Sequence, residues 1–331
     1  MKLKLRTVGV IGGGAWGTAL ASLAAHGGRR VVLWMRDAGT ADAVNRLHQN
    51  PRHLPGIALP PAIEAVTQAG RLGGADAIIA AVPAQSMRAV LKLFASHISS
   101  ETTLIIAAKG YERGTAAPMS QVAYQTLRNM PFILSGPTFA ADIARGLPAA
   151  AVLAGERYSG TARLGNALAT PQFRIYFSDD IRGVQFGGAV KNVLAIACGM
   201  AAGMKLGDSA RAALITRAAA ELSRLGRING IPRETLSGLS CLGDLILTAM
   251  SPQSRNFTLG FALGEGRTLA EALASSRGVC EGVSTAPEIV GIARALKVEA
   301  PVCEAVAAIL AGGSTPAAQM AELLGRPLKS E

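Results

Sequence analysis

A lysine in the middle of an apolar helical segment is the first residue of this sequence that points to chemistry. Lys191 lies in the segment 187–197, where most neighbours are Gly, Ala, Val, Leu or Ile. Burial of a lysine is rare unless the ammonium is paired or functional, and desolvation favours its neutral form. Such a group can give and take a proton near neutral pH. The alternative is a side chain that lies along the helix surface with its ammonium in water.

A second polar pair follows in another apolar segment. Asp244 and Thr248 are four residues apart, so on a helix they share one face and can both point inward. The alternative for this pair is a carboxylate at a helix start and a core hydroxyl that bonds its own backbone.

A loop with phosphate-binding side chains follows Pro252. Ser254, Arg255 and Asn256 present a hydroxyl, a guanidinium and an amide next to one another. A guanidinium can bind phosphate with two parallel hydrogen bonds. Taken alone, these residues are more typical of an ordinary polar loop than of a phosphate site.

A glycine pattern near the N-terminus predicts a dinucleotide site. Gly12, Gly14 and Gly17 have the G-x-G-x-x-G spacing, directly after an apolar strand and before a helical stretch that starts at Thr18. In such a motif the first glycine makes the turn, the second lets a pyrophosphate approach the backbone, and the third lets helix and strand pack closely. The complete strand, turn and helix context favours a dinucleotide over a tight turn without a ligand.

Two cationic residues follow other predicted strands. Arg36 comes at the end of the second strand, where a guanidinium can contact a ribose 2′-phosphate, although Asp37 next to it could serve the ribose hydroxyls instead. An arginine that is merely solvated at a strand end is the other interpretation. Lys109 ends a later strand, at the sheet edge where ligands bind in such folds, so a phosphate or carbonyl partner is plausible.

The elements that must position these residues divide the chain into two parts. We predict a Rossmann-like α/β domain with a mostly parallel sheet over residues 1–180 and an all-α substrate and catalytic domain over residues 181–331. The predicted strands are Val8–Ile11, Arg30–Met35, Ala77–Val82, Thr103–Ala107 and Phe132–Leu134. The predicted helices of the second part are Val184–Met204, Ala210–Leu225, Leu239–Met250, Pro287–Leu296 and Pro301–Leu310. Prolines 51, 55, 60 and 61 predict a loop-rich interruption of the first part.

Composition and charge exclude several classes of protein. The 33 basic and 22 acidic residues give a net charge of +11. The basic residues are scattered as single residues, with Arg29 and Arg30 the only adjacent pair, and they are not interleaved with aromatic residues into a base-stacking surface, so we expect no nucleic-acid partner. The four cysteines and four histidines lack the spacing of metal ligands, so we expect reduced thiols and no metal. The uncharged stretch Ala305–Ala321 contains glycines and a proline, so we expect no membrane insertion and a cytoplasmic enzyme.

These motifs together resemble the NAD(P)-dependent glycerol-3-phosphate dehydrogenase family, and the resemblance extends from Gly9 to about Leu310. Its marks are Gly12–Ala21, Asn50–Gly56, Ala81–Pro83, Lys109–Gly110, Ser135–Ala140, Lys191–Asn192, Gly243–Asp244, Ser254–Asn256 and Glu281–Thr285. Two departures concern fine contacts: many members have Ser where this chain has Ala15, and Met204–Ser209 replaces a segment that is usually rich in Gly, aromatic residues and Asn.

The resemblance implies the activity and the mechanism. The enzyme would interconvert sn-glycerol 3-phosphate and dihydroxyacetone phosphate with NAD or NADP, and so supply glycerol 3-phosphate for glycerophospholipid synthesis. Hydride would move between nicotinamide C4 and substrate C2 while Lys191, oriented by Asp244, protonates the forming alkoxide. Arg255 and Asn256 would hold the phosphate away from the reacting carbon. We expect a small phosphorylated substrate and a homodimer.

The resemblance also implies which residues surround each ligand. The catalytic residue would be Lys191. The substrate-binding residues would be Lys109, Gly136, Thr138, Lys191, Asp244, Ser254, Arg255 and Asn256. The cofactor-binding residues would be Gly12, Gly14, Ala15, Trp16, Gly17, Arg36, His53, Lys109, Ala140, Arg255, Val279 and Glu281.

Two other functions stay open from the residues. A related 3-hydroxy-acid dehydrogenase or ketopantoate-type reductase would also use a lysine on a helix, but its pocket must bind a carboxylate. A dinucleotide-sensing module without catalysis has no reason to bury Lys191 or to pair Asp244 with Thr248 on one helix face.

Overall fold

The computed structural model describes residues 3–99, 101–276 and 278–327. The outer ends of the two expected domains, residues 1–2 and 328–331, lie outside the described residues. The chain folds into two compact units. The first unit comprises residues 1–109 and 117–185, and the second comprises 110–116 and 186–331.

The strands among the described residues are short and lie between residues 7 and 178. They are β1 (Thr7–Ile11), β2 (Arg30–Trp34), β3 (Gln49–Asn50), β4 (Leu54–Ala58), β5 (Ile63–Val66), β6 (Ala77–Ala80), β7 (Thr103–Ile106), β8 (Tyr111–Glu112), β9 (Ala117–Pro118), β10 (Phe132–Ser135), β11 (Ala149–Ala154) and β12 (Phe173–Ser178). Eight of them form one sheet in the order β12-β11-β10-β7-β6-β1-β2-β5. Neighbours are parallel except β10 and β11, which confirms the predicted mostly parallel sheet.

Six helices begin in the sequence between these strands. They are α1 (Ala15–His26), α2 (Ala38–Leu47), α3 (Met87–Leu93), α4 (Met119–Leu127), α5 (Ala140–Ala144) and α6 (Tyr158–Leu168), with 3₁₀ turns at Ala69–Leu72 and Ala84–Ser86. Val8, Val10 and Ile11 of β1 are fully buried. A strand that is apolar on both faces is typical of a sheet covered by helices on both sides.

The five predicted strands are all present, with ends that differ by up to two residues, but the prediction was incomplete. Strand β11 is the alanine-rich sequence 149–154, whose composition favours helix. It forms a strand because it pairs with β10 on one side and β12 on the other. The predicted loop-rich interruption is wrong in part, because β3 and β4 pair there as an antiparallel hairpin and β5 joins the large sheet.

The second unit consists mainly of helices, as predicted. The remaining helices of the chain are α7 (Ile181–Gly203), α8 (Gly207–Ile228), α9 (Arg233–Leu236), α10 (Asp244–Met250), α11 (Arg255–Gly264), α12 (Leu269–Ala274), α13 (Glu281–Ala295), α14 (Pro301–Leu310) and α15 (Pro316–Leu324), with a π-helical turn at Leu239–Gly243. By length and hydropathy α7 could cross a membrane, but 94% of its most apolar window is buried inside the protein, as in a core helix.

The predicted start of α13 at Pro287 is wrong. The helix begins at Glu281, and Pro287 lies inside it. The side chain of Asn256 accepts a hydrogen bond from the backbone N–H of Gly282 in the first turn. This bond satisfies one of the free donors of a helix start, so the tertiary contact moves the start ahead of the proline.

Helices α7 and α11 pack with their backbones in contact. A Cβ atom on Gly199 or Gly203 would collide with the carbonyl oxygens of Phe257 and Phe261 on α11. A Cβ atom on Gly260 or Gly264 would collide with carbonyl oxygens on α7. Both helices therefore depend on glycine at a spacing of four residues, which permits the closest approach of two helices. This packing sets the distance between the helix of Lys191 and the helix of Arg255.

Candidate active site

The glycine loop of the first unit has the geometry that the motif predicts. Gly12 has a φ of +120°, where a side chain would be strained, and a Cβ atom on it would lie 2.9 Å from the carbonyl oxygen of Ala81. A Cβ atom on Gly17 would collide with the Gly12 carbonyl, whereas nothing lies within 4 Å of the corresponding position on Gly14. The backbone at Gly14 is therefore open at the N-terminus of α1, as an approaching pyrophosphate requires. The residues present fit the dinucleotide.

The side chain of Asn50 forms hydrogen bonds with this loop and with the start of α1. Its side-chain amide donates to the carbonyl of Gly13 at 2.9 Å and to Oγ1 of Thr18 at 2.8 Å. Its carbonyl oxygen accepts from the backbone N–H of His53 at 3.1 Å, and the side chain is fully buried. Asn50 therefore joins the glycine loop to the chain segment that carries His53.

The residues that follow the glycine turn begin α1. Ala15 is the first residue of the helix. The indole N–H of Trp16 donates to the carbonyl of Ala107 at 3.1 Å, two residues before Lys109. Trp16 thus connects the start of α1 to the end of β7.

The end of β2 carries both charges that the sequence places there. Asp37 is the N-cap of α2, and its Oδ2 accepts from the backbone N–H of Thr40 at 2.8 Å and from the Thr40 hydroxyl. These hydrogen bonds hold the pKa of the Asp37 carboxyl below its usual value. Its other oxygen, Oδ1, lies 3.9 Å from Nη1 of Arg52. Arg36 is exposed beside this pair.

His53 lies near the same charges. Partial burial is the main cause that lowers the pKa of its imidazole, and the positive charge of Arg52 lowers it further. The negative charge of Asp37 opposes this shift. Both lowering effects favour the neutral ring.

Lys109 contacts the loop that follows β10 at the carboxyl edge of the sheet. Its ammonium donates to the carbonyl of Gly136 at 3.0 Å, and the hydroxyl of Thr138 donates to the same carbonyl at 3.2 Å. Gly136 has a φ of +147°, and a Cβ atom on it would lie 2.9 Å from the Cα of Ala151. Because β7 and β10 are parallel neighbours, the residues after both strands meet at one edge. Ala140 begins α5 just beyond this loop.

Lys191 is buried in the second unit with two polar partners. Its Nζ donates to Oδ1 of Asp244 at 2.7 Å and to Oγ1 of Thr248 at 2.7 Å. The Thr248 hydroxyl lies 3.4 Å from the same Asp244 oxygen, to which it donates. The side chains of Lys191 and Asp244 are 8% and 1% exposed. This is a buried ion pair that a hydroxyl completes, and the desolvation cost of two buried charges means that such a pair is weak evidence for added stability.

A close contact on α7 places Asp244 opposite Lys191. Gly187 lies one turn before Lys191, and a Cβ atom on it would collide with Sγ of Cys241 and lie 2.8 Å from its Cα. Cys241 belongs to the π-helical turn that leads directly into Asp244 at the start of α10. Such turns are frequent at functional sites. The missing side chain at Gly187 thus permits the approach that brings the carboxylate to the ammonium.

The residue after Lys191 begins a chain of buried amides. Nδ2 of Asn256 donates to Oδ1 of Asn192 at 2.9 Å, and Oδ1 of Asn256 accepts from the backbone N–H of Gly282 at 3.0 Å. A Cβ atom on Gly282 would lie 2.7 Å from the Asn192 carbonyl oxygen. These contacts connect α7, α11 and α13. Much of the hydrogen-bonding capacity of Asn256 therefore serves this connection.

Arg255 lies at the start of α11 with its side chain exposed. The Ser254 hydroxyl caps the helix by accepting from the backbone N–H of Phe257 at 3.2 Å. The Arg255 carbonyl accepts from the thiol of Cys280 at 3.5 Å. Arg255 thus extends from a capped helix N-terminus, which favours anions.

The last two expected cofactor residues belong to the second unit. Val279 is 44% exposed, and Glu281 is the first residue of α13. Cys280 between them is buried, as are Cys198, Cys241 and Cys303, and all four are free thiols. Burial raises the pKa of the Cys198 thiol to about 12, so this thiol stays protonated.

Asn50 and Asn192 are two functional residues that the sequence does not reveal: they are buried amides, one in each unit, that hydrogen-bond to the candidate residues. Both belong to motifs of the resemblance, but their partners are distant in sequence. Asn50 reaches Gly13 across 37 positions and Asn192 reaches Asn256 across 64. An asparagine in a short strand or a helix carries no local sign of such a contact.

Comparison with known proteins agrees with these motifs over nearly the whole chain. Residues 7–160 match the model of the NAD-dependent glycerol-3-phosphate dehydrogenase N-terminus. Residues 180–321 match the model of the C-terminus of the same family.

Individual relatives extend the match. The chain is 50% identical to a glycerol-3-phosphate dehydrogenase [NAD(P)+] of Rhodospirillum rubrum over 98% of this chain and 93% of the relative. It is 52% identical to the enzyme of the same name from Methylobacterium radiotolerans over 98% of both chains. The crystal structure of glycerol-3-phosphate dehydrogenase from Coxiella burnetii superposes with a TM-score of 0.92 at 35% identity, covering 98% of this chain and 99% of that one. The chain therefore belongs to the NAD-dependent glycerol-3-phosphate dehydrogenase family.

Proposed function

We propose that this protein interconverts sn-glycerol 3-phosphate and dihydroxyacetone phosphate with NAD(P). The observation that carries the proposal is the buried ammonium of Lys191, held by Asp244 and Thr248 in a chain of this family. Burying an ammonium costs desolvation free energy. A protein that only senses a dinucleotide has no need for a buried ammonium and no reason to bear this cost. The glycine loop of the first unit supports the dinucleotide.

Lys191 is the proton donor and acceptor of this reaction. When bound, the nicotinamide supplies a hydride to substrate C2, or accepts one in the reverse direction. In reduction, Lys191 gives a proton to the carbonyl oxygen as that oxygen becomes an alcohol. In oxidation, its neutral amine takes the hydroxyl proton. Asp244 and Thr248 keep Nζ in one orientation, since the two partners lie at 2.7 Å on the same helix face.

Arg255 binds the substrate phosphate. Its guanidinium extends from the N-terminus of α11, where the helix dipole adds to its positive charge. Asn256 contributes mainly by position, because its amide joins Asn192 to Gly282. Ser254 contributes the cap that starts the helix. Binding the phosphate here keeps the remote end of the substrate fixed while the carbon reacts.

Lys109 contacts substrate and cofactor in the first unit. Its ammonium shares the Gly136 carbonyl with the Thr138 hydroxyl, so the three residues form one polar group after β7 and β10. In the first unit the dinucleotide would be held by Gly12, Gly14, Ala15, Trp16, Gly17, Arg36, His53 and Ala140. The resemblance to the family also implies Arg255, Val279 and Glu281 of the second unit as cofactor-binding residues. Residues 1–180 act as the cofactor domain and residues 181–331 as the substrate domain.

Reduction of dihydroxyacetone phosphate supplies glycerol 3-phosphate for glycerophospholipids in the cytoplasm, and the enzyme acts as a homodimer. Light scattering of the purified chain tests the assembly. A monomer at the concentration of the activity assay contradicts the dimer without affecting the reaction.

The decisive experiment follows NADPH and NADH oxidation with dihydroxyacetone phosphate and, in parallel, with ketopantoate and short 3-keto acids. We expect turnover with the phosphate substrate and little with the carboxylates. Higher kcat/KM with a carboxylate ketone would assign the chain to the reductases of related fold instead. Dinucleotide binding without turnover on any ketone would leave a sensing module.

A further inference from the structure

The segment that follows β3 brings a second arginine to the end of β2. Asn50 and His53 are tied to each other and to the glycine loop through Gly13. The loop is in turn packed on the end of β2, because a Cβ atom on Gly13 would lie 2.6 Å from Cβ of Met35. Arg52 lies inside this anchored segment, and its Nη1 is 3.9 Å from Oδ1 of Asp37.

Asp37 is poorly placed to serve the ribose hydroxyls. One of its oxygens caps α2 through two hydrogen bonds from Thr40, and the other faces Arg52. An acid that selects NADH accepts a hydrogen bond from the ribose 2′-hydroxyl. Here Asp37 is committed to the helix start, and the adjacent side chains Arg36 and Arg52 are both cationic.

We infer that Arg52 is a specificity-determining residue for the cofactor, which binds the ribose 2′-phosphate of NADP together with Arg36. The inference rests on the proposed use of a dinucleotide. Arg52 is 65% exposed and its contact with Asp37 is long for an ion pair, so the guanidinium is available to a stronger anion. A phosphate with up to two charges offers three acceptor oxygens to the planar guanidinium. Asn50 keeps the segment of Arg52 next to the glycine loop, so the loop and the arginine meet the same ligand.

The test uses adenosine 2′,5′-bisphosphate and adenosine 5′-phosphate as probes, with binding measured by calorimetry on the full chain. These fragments differ only in the 2′-phosphate. We expect wild type to prefer the bisphosphate, and Arg52→Ala to weaken bisphosphate binding about tenfold or more. Binding of the monophosphate should change less than about twofold. Arg52→Lys should retain part of the preference, because it keeps the charge but not the planar fork.

Arg46→Ala is the matched control. Arg46 is an exposed arginine of the same unit that pairs with Asp42 on α2, and its removal should leave both affinities unchanged. If Arg46→Ala and Arg52→Ala weaken bisphosphate binding equally, the loss reflects the net charge of the protein and not a contact with Arg52, and the inference is overturned. A wild type that binds both probes equally would also overturn it.

A double-mutant cycle tests the competition between phosphate and carboxylate for Arg52. Asn is as good an N-cap as Asp, so Asp37→Asn keeps α2 intact. We expect this variant to bind the bisphosphate more tightly, and we expect the gain to shrink when Arg52→Ala is also present. A gain that is the same in both backgrounds contradicts the pairing. Because the probes require no turnover, a failure with dihydroxyacetone phosphate leaves these outcomes readable.

Discussion

Lys191 and Asp244 form a buried ion pair with 2.7 Å between Nζ and Oδ1. The two residues come from α7 and from the start of α10, and are 53 positions apart in sequence. Removing one charge from such a pair leaves the other charge buried without a partner. A substitution of either residue should therefore change the free energy of unfolding as well as the activity.

Lys191→Ala should lower kcat by about 10² to 10⁴, because a positioned proton donor contributes a factor of this size. The dissociation constant of NADPH, measured by fluorescence, should stay near the wild-type value, since the glycine loop belongs to the first unit. The variant should also lose about 3–5 kcal/mol of stability, because Asp244 stays buried without its cation.

A double variant separates the two losses. Lys191→Met with Asp244→Asn removes both charges and should recover stability without recovering turnover. If either Lys191→Ala or the double variant is folded and has a near-normal kcat, Lys191 is not the proton donor.

Arg255→Ala should raise KM for dihydroxyacetone phosphate by about 10- to 100-fold, because a hydrogen bond to a charged group contributes about 1.5–3 kcal/mol. Steady-state kinetics at saturating NADPH measures the effect. Arg267→Ala is the control, since Arg267 is exposed, follows the other end of α11 and pairs with Glu265. If both variants keep wild-type KM, the phosphate binds elsewhere.

Arg36→Ala should reduce kcat/KM for NADPH more than for NADH, because only NADPH carries the phosphate that the exposed guanidinium would neutralise. Both cofactors are compared at fixed dihydroxyacetone phosphate. Equal losses would make Arg36 a structural or adenine-stacking residue.

Gly199→Ala should destabilise the second unit by at least about 1–3 kcal/mol, because its Cβ would collide with the Phe257 carbonyl oxygen. Urea unfolding measures the change. Gly291→Ala is the control: nothing lies within 4 Å of its Cβ position inside α13, so the better helix former should stabilise by about 0.5–1 kcal/mol. Similar effects of both changes would mean that α7 and α11 can move apart.

Glu221 should contribute a part of the free energy of unfolding that decreases as pH rises. Burial raises the pKa of its carboxyl, although the backbone N–H groups of Val302 and Cys303 donate to it at 2.8 and 2.9 Å and oppose the shift. The native state therefore holds the proton more tightly than the unfolded chain. The contribution to stability is full below the unfolded pKa of about 4.3 and is lost as pH rises through the raised native pKa.

The unfolding free energy of wild type minus that of Glu221→Gln should accordingly fall as pH rises from about 4. Glu271 provides the opposite sign, because hydrogen bonds from Thr268 in the cap of α12 lower the pKa of its carboxyl. The same difference for Glu271→Gln should fall as pH decreases through its native pKa. Parallel slopes for the two variants would contradict the assignment.

Local sequence was sufficient wherever the signal is short-range. The order of strand, Gly12, Gly14, Gly17 and helix predicts the turn because only glycine tolerates the φ and the close approaches found there. The apolar surroundings of Lys191 predict a buried ammonium because α7 is apolar all round, and the helix is buried as expected. The alternation of short strands and helices predicts the parallel sheet, because this order of elements is the local pattern of βαβ units.

Features that depend on distant partners were decided by tertiary structure. The alanine-rich β11 is a strand only because two neighbouring strands supply its hydrogen bonds. Helix α13 begins at Glu281, ahead of Pro287, and an amide from α11 satisfies a donor of its first turn. The hydrogen bonds from Thr40 to one oxygen of Asp37, and the arginine near the other oxygen, are likewise visible only in the folded chain. A hydrogen bond depends on the distance and the direction between its two groups. When the groups are tens of positions apart in sequence, the packing of the folded chain sets this geometry, and the local preferences of each residue do not.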